Sequence, residues 1–158
     1  MNNTGYKGIG GILTAFKDLV EEFEAGSKIV FVGSVGVCTP LAELLAFAVR
    51  KNGFETIYIS NADPESAKRM ELVEGIGYQV TGGAADPVSP DVIMILGGLA
   101  MQKYPTTAED VFELINKIST NARILGLCFM GSFEKMGWRK VIPFDSVIDG
   151  TIDPVTVE

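Results

Sequence analysis

A cysteine between two glycines, in the stretch Gly126-Leu127-Cys128-Phe129-Met130-Gly131, ends the last long apolar run of the chain. Several enzyme folds keep their nucleophile at the carboxyl end of a buried strand, just before a helix. Backbone N–H groups of that helix lower the pKa of a thiol placed there. The same position also suits a small buried apolar residue, and cysteine often serves as one. Cys128 is therefore the candidate catalytic residue, and the alternative is that it belongs to the core.

Two other loops have the composition of a binding site, Gly33-Ser34-Val35-Gly36-Val37-Cys38-Thr39 and Gly97-Gly98-Leu99-Ala100. Like the loop after Cys128, they are rich in small residues. The first and the third run into a predicted helix, whose N-terminal N–H groups favour an anion. Tight turns also need glycine for geometry alone, which is the alternative to a ligand site. The predicted ligand-binding residues are Gly33, Ser34, Gly36, Cys38, Thr39, Gly97, Gly98, Gly131 and Ser132.

The residue types that are missing exclude several kinds of site. The 158 residues include no histidine, which removes Ser-His and Cys-His pairs and every His-ligated metal site within one chain. We predict no metal site, and Asp145, Asp149 and Asp153 are interpreted as solvated charges at a sheet edge. The first loop lacks the dinucleotide fingerprint, and no P-loop motif occurs. No cofactor is identified from the sequence.

Helical and strand patterns alternate along the chain and predict a single α/β domain over residues 1–158. An amphipathic N-terminal helix is predicted over 9–25, a βα core over 28–138 and an extension over 139–158. Strands are predicted over 28–33, 56–60, 78–81, 91–97 and 123–128, and the extension is expected to add an edge strand or hairpin. Helices are predicted to start at Thr39-Pro40, at Asp63-Pro64 and after Thr107, and a short one follows Cys128. Thr107 with Asp110 resembles a capping box.

This alternation indicates a three-layer Rossmann-like or flavodoxin-like sandwich with about five mostly parallel strands and helices on both faces. We predict the strand order 3-2-1-4-5. In such sheets ligands bind beyond the carboxyl ends of the strands, where the strand order reverses. The three loops follow the predicted strands one, four and five, so we expect them to converge at that edge. If the strands of Cys38 and Cys128 flank the strand over 91–97, roughly 9–10 Å separates them, too far for a disulfide.

The net charge and the hydropathy of the chain limit the kinds of partner that can be expected for it. The net charge is −7 and the pI is about 4.6, which argues against nucleic acid or an anionic membrane surface as a partner. The longest apolar run, Val92–Leu96, is far shorter than the ~20 residues of a membrane span. The N-terminus lacks the pattern of a secretory signal, so a cytoplasmic protein is expected. The 47% apolar content and the mean hydropathy of +0.27 point to a homo-oligomer, with a homodimer as one expectation.

Two motifs resemble the class I glutamine amidotransferase-like superfamily. They are the run from Asp91 to Gly97-Gly98 and the run from Ile124 to Gly131, and the order of elements is similar over about residues 28–138. The resemblance implies that Cys128 is the nucleophile and that the Gly97-Gly98 backbone is part of an oxyanion site. The spacing Gly-x-Cys-x-x-Gly is one residue longer than the superfamily's usual pattern. No histidine is available as the base.

A second resemblance spans nearly the whole chain. The stretches over residues 31–40, 95–101 and 126–131 are similar to those of an uncharacterised family of small acidic proteins from methanogenic archaea. The resemblance implies a stand-alone cytoplasmic protein, with free thiols kept reduced. It implies no activity, because the family is a domain of unknown function.

Three functional hypotheses follow. In the first, the protein binds a small polar or anionic ligand at the carboxyl ends of the strands. In the second, it is a cysteine-dependent enzyme of the amidotransferase-like type that uses Cys128. In the third, it is a non-catalytic homo-oligomeric scaffold or subunit.

Overall fold

Seven strands form one sheet in the computed structural model, which describes residues 5–101 and 103–158. The order across the sheet is β4-β3-β2-β1-β5-β6-β7. Five neighbouring strands, from β2 to β7, are parallel, and β3 and β4 extend the sheet as an antiparallel hairpin. The strands are β1 (Lys28–Gly33), β2 (Glu55–Ser60), β3 (Lys68–Val73), β4 (Gly77–Ala84), β5 (Val92–Leu96), β6 (Arg123–Phe129) and β7 (Ser146–Gly150).

Helices cover both faces of this sheet, as the sequence predicted. They are α1 (Gly8–Val20), α2 (Thr39–Ala48), α3 (Ala108–Ile118) and the single turn α4 (Ser132–Lys135). α1 and α2 pack on one face, where Phe16 and Leu45 join Phe31 of the central strand. α3 and the segment after α4 pack on the other face, where Leu114 joins Ile93. None of the helices in the described residues is long and apolar enough to cross a membrane. Residues 1–4, on which the expected absence of a secretory signal partly rests, lie outside the described residues.

The predicted number of five strands is wrong, because residues 63–74 do not form the expected helix. Asp63 caps only one 3₁₀ turn, Pro64–Ser66, by accepting the Glu65 N–H at 3.0 Å. The chain then continues as β3, in which only Met70 is buried. Its Arg, Met, Glu and Leu residues favour a helix when taken alone. Pairing with β2 overrides that preference, and the Thr56 hydroxyl donates to the Met70 carbonyl at 3.0 Å.

The predicted strand order is correct for the centre of the sheet and wrong at one side. β2, β1, β5 and β6 are neighbours as expected, but β3 separates the predicted third strand, now β4, from β2. The extension supplies β7 as an edge strand, parallel to β6. α1 ends at Val20 instead of residue 25, because the Phe23 N–H turns back to the Val20 carbonyl at 3.1 Å. The N-cap of α2 is Cys38 and not Thr39.

The predicted capping box at the start of α3 is present. The Thr107 hydroxyl accepts the Asp110 N–H at 3.1 Å, and the Asp110 carboxylate accepts the Thr107 N–H at 2.9 Å. These two hydrogen bonds lower the pKa of Asp110. Because α3 covers one face of the core, this cap should contribute to the stability of the whole domain.

Replacing Thr107 by alanine is expected to lower the free energy of unfolding by about 1 kcal/mol, because the Asp110 N–H loses its acceptor. Urea denaturation at pH 7 measures the change, and Thr151→Ala in the exposed tail is the control. The lowered pKa of Asp110 contributes stability that is lost as the pH falls, so the difference from wild type should shrink toward pH 3. Equal stability of Thr107→Ala and wild type at pH 7 would contradict this role.

Candidate functional site

The loops after β1, β5 and β6 come together at the carboxyl edge of the sheet. Gly97 and Gly98 lie between the two cysteines, with the β1 loop on one side and the end of β6 on the other. A Cβ atom added to Gly98 would lie 2.5 Å from the Cys38 Sγ and 3.1 Å from the Ser34 Oγ. One added to Gly97 would lie 2.6 Å from the Cys128 Cβ. The expected convergence of the three loops is therefore present, and contact between the loops fills the place where the strand order reverses.

Ser34 and Cys38 bind each other and the backbone, so they close this crevice. Both side chains are fully buried, and the Ser34 Oγ lies 3.2 Å from the Cys38 Sγ. The Tyr58 hydroxyl donates to the Ser34 carbonyl at 2.7 Å. Gly33 is needed at the same contact, because a Cβ there would lie 2.4 Å from the Cys38 Cβ. These three predicted ligand-binding residues therefore hold the β1 loop against β2 and β5.

Tyr58 is a buried donor that the sequence analysis missed. Burial raises the pKa of its phenol, a hydrogen bond with the Thr39 side chain lowers it in part, and Cys38, Glu43 and Tyr104 raise it further. Burial also raises the pKa of Glu43, which follows on α2. The Tyr58 phenol therefore stays protonated and keeps its hydrogen bond to Ser34 at any pH near neutrality. Its position within an apolar strand is also that of an ordinary core aromatic.

Cys128 lies beside Asp149, an exposed carboxylate on the edge strand β7. The register of β6 and β7 sets Cys128 opposite Asp149, and the thiol donates to the Asp149 Oδ1 over 3.8 Å. The same oxygen accepts the Gly131 N–H at 3.0 Å. Asp149 is exposed at the sheet edge, as predicted, and the parallel addition of β7 also brings it to this loop.

The surroundings of Cys128 do not favour a thiolate. The side chain is 2% exposed, and burial is the largest influence that raises its pKa. The Phe133 N–H and the Ser132 hydroxyl lower the pKa in part, and the Asp149 carboxylate raises it again. The net pKa is higher than that of an ordinary thiol, so Cys128 is protonated at neutral pH.

The remaining predicted residues lie at the rim of this edge. Gly36 is exposed, and Thr39, Gly131 and Ser132 are half-buried. Gly36 and Gly131 have φ angles of +85° and +68°, so the turns require glycine there. The two positions explain part of the glycine content of these loops without a ligand.

Strained backbone is concentrated at the same carboxyl edge. Asn61 and Ala62 after β2 and Met130 after β6 have φ angles of +53°, +64° and +50°. Left-handed residues other than glycine cost free energy and persist only where their surroundings fix them, often at functional sites. Here the Asn61 N–H donates to the Gly33 carbonyl at 3.0 Å, and the Met130 N–H donates to the Gly150 carbonyl at 2.9 Å. Among the described residues the fourth such position, Ser89, lies in the loop before β5.

An open cleft of about 380 Å³ adjoins the crowded edge. The loop after β5, the start of α3 and residues 136–141 form its walls. Trp138 is buried behind it, while Met101 and Met136 are 41% and 43% exposed. The polar groups in its lining include Thr106 and Glu109, and none of the described residues that line it is basic. The volume falls in the range of small-molecule sites. No sequence pattern indicated this cleft, because the residues that line it come from three separate segments without a common motif.

A second cleft, of about 370 Å³, lies at the amino ends of the strands, opposite the carboxyl edge. Asp91 in its lining accepts the Lys28 N–H at 2.8 Å, and Asp145 accepts the Ile124 N–H at 2.7 Å. Arg123 forms an ion pair with Glu22 and lies over the Phe23 ring. These polar groups hold the ends of strands together, so this cleft is better explained by the fold than by a ligand.

No group of three or more cysteine and carboxylate side chains in residues 5–101 and 103–158 is arranged to hold a metal ion. Cys38 and Cys128 are free thiols. Cys38 is the N-cap of α2, after β1, and Cys128 lies on β6. Asp149, the acidic residue nearest to Cys128, already accepts hydrogen bonds from the thiol and from Gly131.

Known proteins similar to this chain come from archaea. Residues 7–153 match the family model described as "Uncharacterized protein conserved in archaea (DUF2124)", and the chain belongs to this family. An uncharacterised protein of Methanocaldococcus jannaschii is 39% identical over 145 residues, 92% of this chain and 86% of that protein. One of Methanothermobacter thermautotrophicus is 37% identical over 149 residues, 94% of this chain and 92% of that protein.

A solved structure has the same fold. The crystal structure of a protein of unknown function from Methanothermobacter thermautotrophicus gives a TM-score of 0.87 at 33% sequence identity. The match covers 100% of this chain and 97% of that one. These comparisons confirm the resemblance to the archaeal family. They do not show the resemblance to the glutamine amidotransferase-like superfamily.

Gly98→Ala is expected to lower the free energy of unfolding by about 1–3 kcal/mol, because the new methyl group would overlap the Cys38 Sγ. In a Cys38→Ala background the sulfur is absent, so the loss should be smaller by about 1 kcal/mol. Gly10→Ala is the control, because nothing lies within 4 Å of a Cβ at that position. Denaturation of the four proteins of the Gly98/Cys38 cycle measures the coupling, and additive effects would show that the contact is not significant.

Alkylation of Cys128 by iodoacetamide, followed by mass spectrometry of the Cys128 peptide, should give an apparent pKa above the roughly 8.5 of a free thiol. The guanidinium-unfolded protein is the reference. Asp149→Asn keeps an acceptor for Gly131 but removes the charge, so it should lower the apparent pKa of Cys128. An apparent pKa below about 8 in the native protein would contradict this environment and support a nucleophilic thiol.

Proposed function

We propose that this protein binds a small, largely apolar ligand in the cleft between the β5 loop and residues 136–141. The observation that carries the proposal is the lining of that cleft. Leu99 and Trp138 form a buried wall, and Met101 and Met136 lie at its opening with more than a third of their surface exposed. Flexible methionine side chains over an aromatic wall are suited to apolar ligands of varied shape.

The chemistry of the cleft favours an apolar ligand and not the polar or anionic ligand that the sequence indicated. A polar or anionic ligand was expected on the N-terminal N–H groups of helices. At this cleft the start of α3 is already occupied by its own capping box, and the first turn carries Glu109 and Asp110. The Glu109 carboxylate lines the cleft, and none of the described lining residues is basic, so the cleft disfavours an anion. Thr106, whose hydroxyl forms only a long 3.5 Å bond to the Asn61 carbonyl, can supply a polar contact.

The strained positions support a site at this end of the sheet. Thr106 connects the wall of the cleft to Asn61, one of the three left-handed residues at the carboxyl edge. The free energy stored there is typical of a binding site that is held in one conformation. The closed contact between Gly98 and Cys38 keeps the β5 loop in place, so the cleft is formed before the ligand arrives.

The cysteine-dependent enzyme stays a separate prediction, and the alkylation experiment above decides it. The burial of Cys128 and the adjacent Asp149 both oppose a thiolate. The amidotransferase-like role would also need a base, and the chain has no histidine.

The ligand-binding proposal is tested with two dyes that differ by one sulfonate. Neutral N-phenyl-1-naphthylamine and its anionic sulfonate, 8-anilinonaphthalene-1-sulfonate, are titrated into the protein. Trp138 is the only tryptophan in the chain and lines the cleft, so energy transfer from it reports a bound dye, and the cleft variants described below show whether the dye lies there. The neutral dye should give saturable transfer and bind more tightly than the anionic dye. Tighter binding of the anionic dye would favour the polar site expected from the sequence.

Met101→Gln/Met136→Gln should weaken binding of the neutral dye by about tenfold, because it removes apolar contact worth roughly 1–2 kcal/mol. Met130→Gln is the matched control, because Met130 is 47% exposed but does not line the cleft. No saturable transfer from Trp138 to the neutral dye, or equal weakening by the control, would overturn the proposal.

A further inference from the structure

β4 is an outer strand whose side away from β3 meets no other strand in the described part of the chain. It is eight residues long, and Gln79, Thr81 and residues 82–84 are exposed. In an antiparallel strand alternate backbone N–H and C=O groups point away from the existing partner. This edge therefore presents a row of hydrogen-bonding groups that another strand can pair with.

The absence of charge on β4 is not explained by burial. The four longest uncharged stretches of the chain are residues 29–42, 75–85, 92–102 and 124–133. Three of them contain the central strands β1, β5 and β6, which are buried in the sheet. The fourth, 75–85, contains β4 and is mostly exposed. A chain of net charge −7 thus has one long exposed segment that carries no charge.

β7, the outer strand on the other side of the sheet, is protected in the usual way against pairing with strands of other molecules. β7 is only five residues long and carries Asp149, and Asp145 precedes it. Short length and charged side chains are the usual means of preventing strands from pairing between molecules. β4 has neither a charged residue nor a proline to block such pairing, and the irregular register with β3 is confined to the part after Val80.

Apolar side chains extend this uncharged edge. Ile76, in the turn before β4, is 71% exposed, and Leu72 on β3 is 53% exposed. Phe47 of α2 is 38% exposed and lies near the same turn, since a Cβ added to Gly77 would be 3.9 Å from its ring. Exposed apolar groups grouped beside a free strand edge are typical of an interface.

We propose that two copies of this chain associate through antiparallel pairing of their β4 strands about a two-fold axis. The occupant is a second copy because the charge favours it. Over the rest of their surfaces, two molecules of net charge −7 repel each other. The β4 strands carry no charged side chain, so they can approach each other without repulsion between like charges. A two-fold axis sets the same strand antiparallel to itself, so the free backbone groups of residues 77–80, which are in regular register with β3, meet their complements. The two sheets then form one continuous sheet, with Leu72 and Ile76 beside the junction.

The proposal is tested by sedimentation velocity at 1–100 µM, concentrations chosen on the order of typical homodimer affinities. Wild type should sediment as a dimer that dissociates on dilution. Gln79→Lys/Thr81→Lys places four like charges at the paired strands and should raise the dimer Kd at least about tenfold. Asn116→Lys/Thr120→Lys adds the same charge at exposed sites away from β4 and should leave the dimer intact. Circular dichroism confirms that both variants fold.

Hydrogen exchange of wild type locates the interface. Amides of β4 should be protected at high protein concentration and lose that protection on dilution, while those of β7 stay unchanged. A monomer at 100 µM would overturn the proposal. A dimer whose Kd is not raised by Gln79→Lys/Thr81→Lys would also overturn it. The same holds for a dimer whose formation does not change the hydrogen exchange of the β4 amides.

Discussion

The contact of Gly97-Gly98 with the two cysteine-bearing loops is the constraint on which this structure depends. β1, β5 and β6 are continuous buried strands, and their loops must pass one another where the strand order reverses. Added Cβ atoms would come within 2.6 Å of Cys38 or Cys128, so only glycine allows the β5 loop to lie there. That passage fixes the direction of the chain into α3 and so places one wall of the cleft.

The same contact determines which part of the carboxyl edge is filled by side chains and which part is open. In many α/β proteins the reversal point of the sheet is an open crevice. Here Ser34, Cys38 and Tyr58 fill it and hydrogen-bond to one another and to the backbone. The open space lies to one side, behind Met101 and Met136, where Leu99 and Trp138 lie beside the polar Thr106 and Glu109. Cys128 has the topological position of a nucleophile, but its burial and Asp149 keep it as a neutral thiol.

The antiparallel hairpin β3–β4 changes the outer side of the molecule. If the segment over 63–74 were a helix, β2 would be paired with the predicted third strand and the sheet would end differently. Instead the hairpin presents a long uncharged edge, whereas β7 ends the other side with a short strand and an aspartate. The two outer strands of the sheet, β4 and β7, therefore differ in how readily a strand of another molecule can pair with them.

Local patterns in the sequence were enough to predict several parts of the fold. Buried runs such as 28–33 and 91–97, the Thr107–Asp110 box and the convergence of three glycine-rich loops follow from hydrophobic periodicity, capping chemistry and the geometry of parallel sheets. Residues 68–73 did not, because their helix propensity yields to a strand partner that is distant in sequence. Only the tertiary structure placed Asp149 beside Cys128 and assembled the Trp138 cleft. Both depend on the register of strands and loops far apart in the chain, which no short sequence pattern encodes.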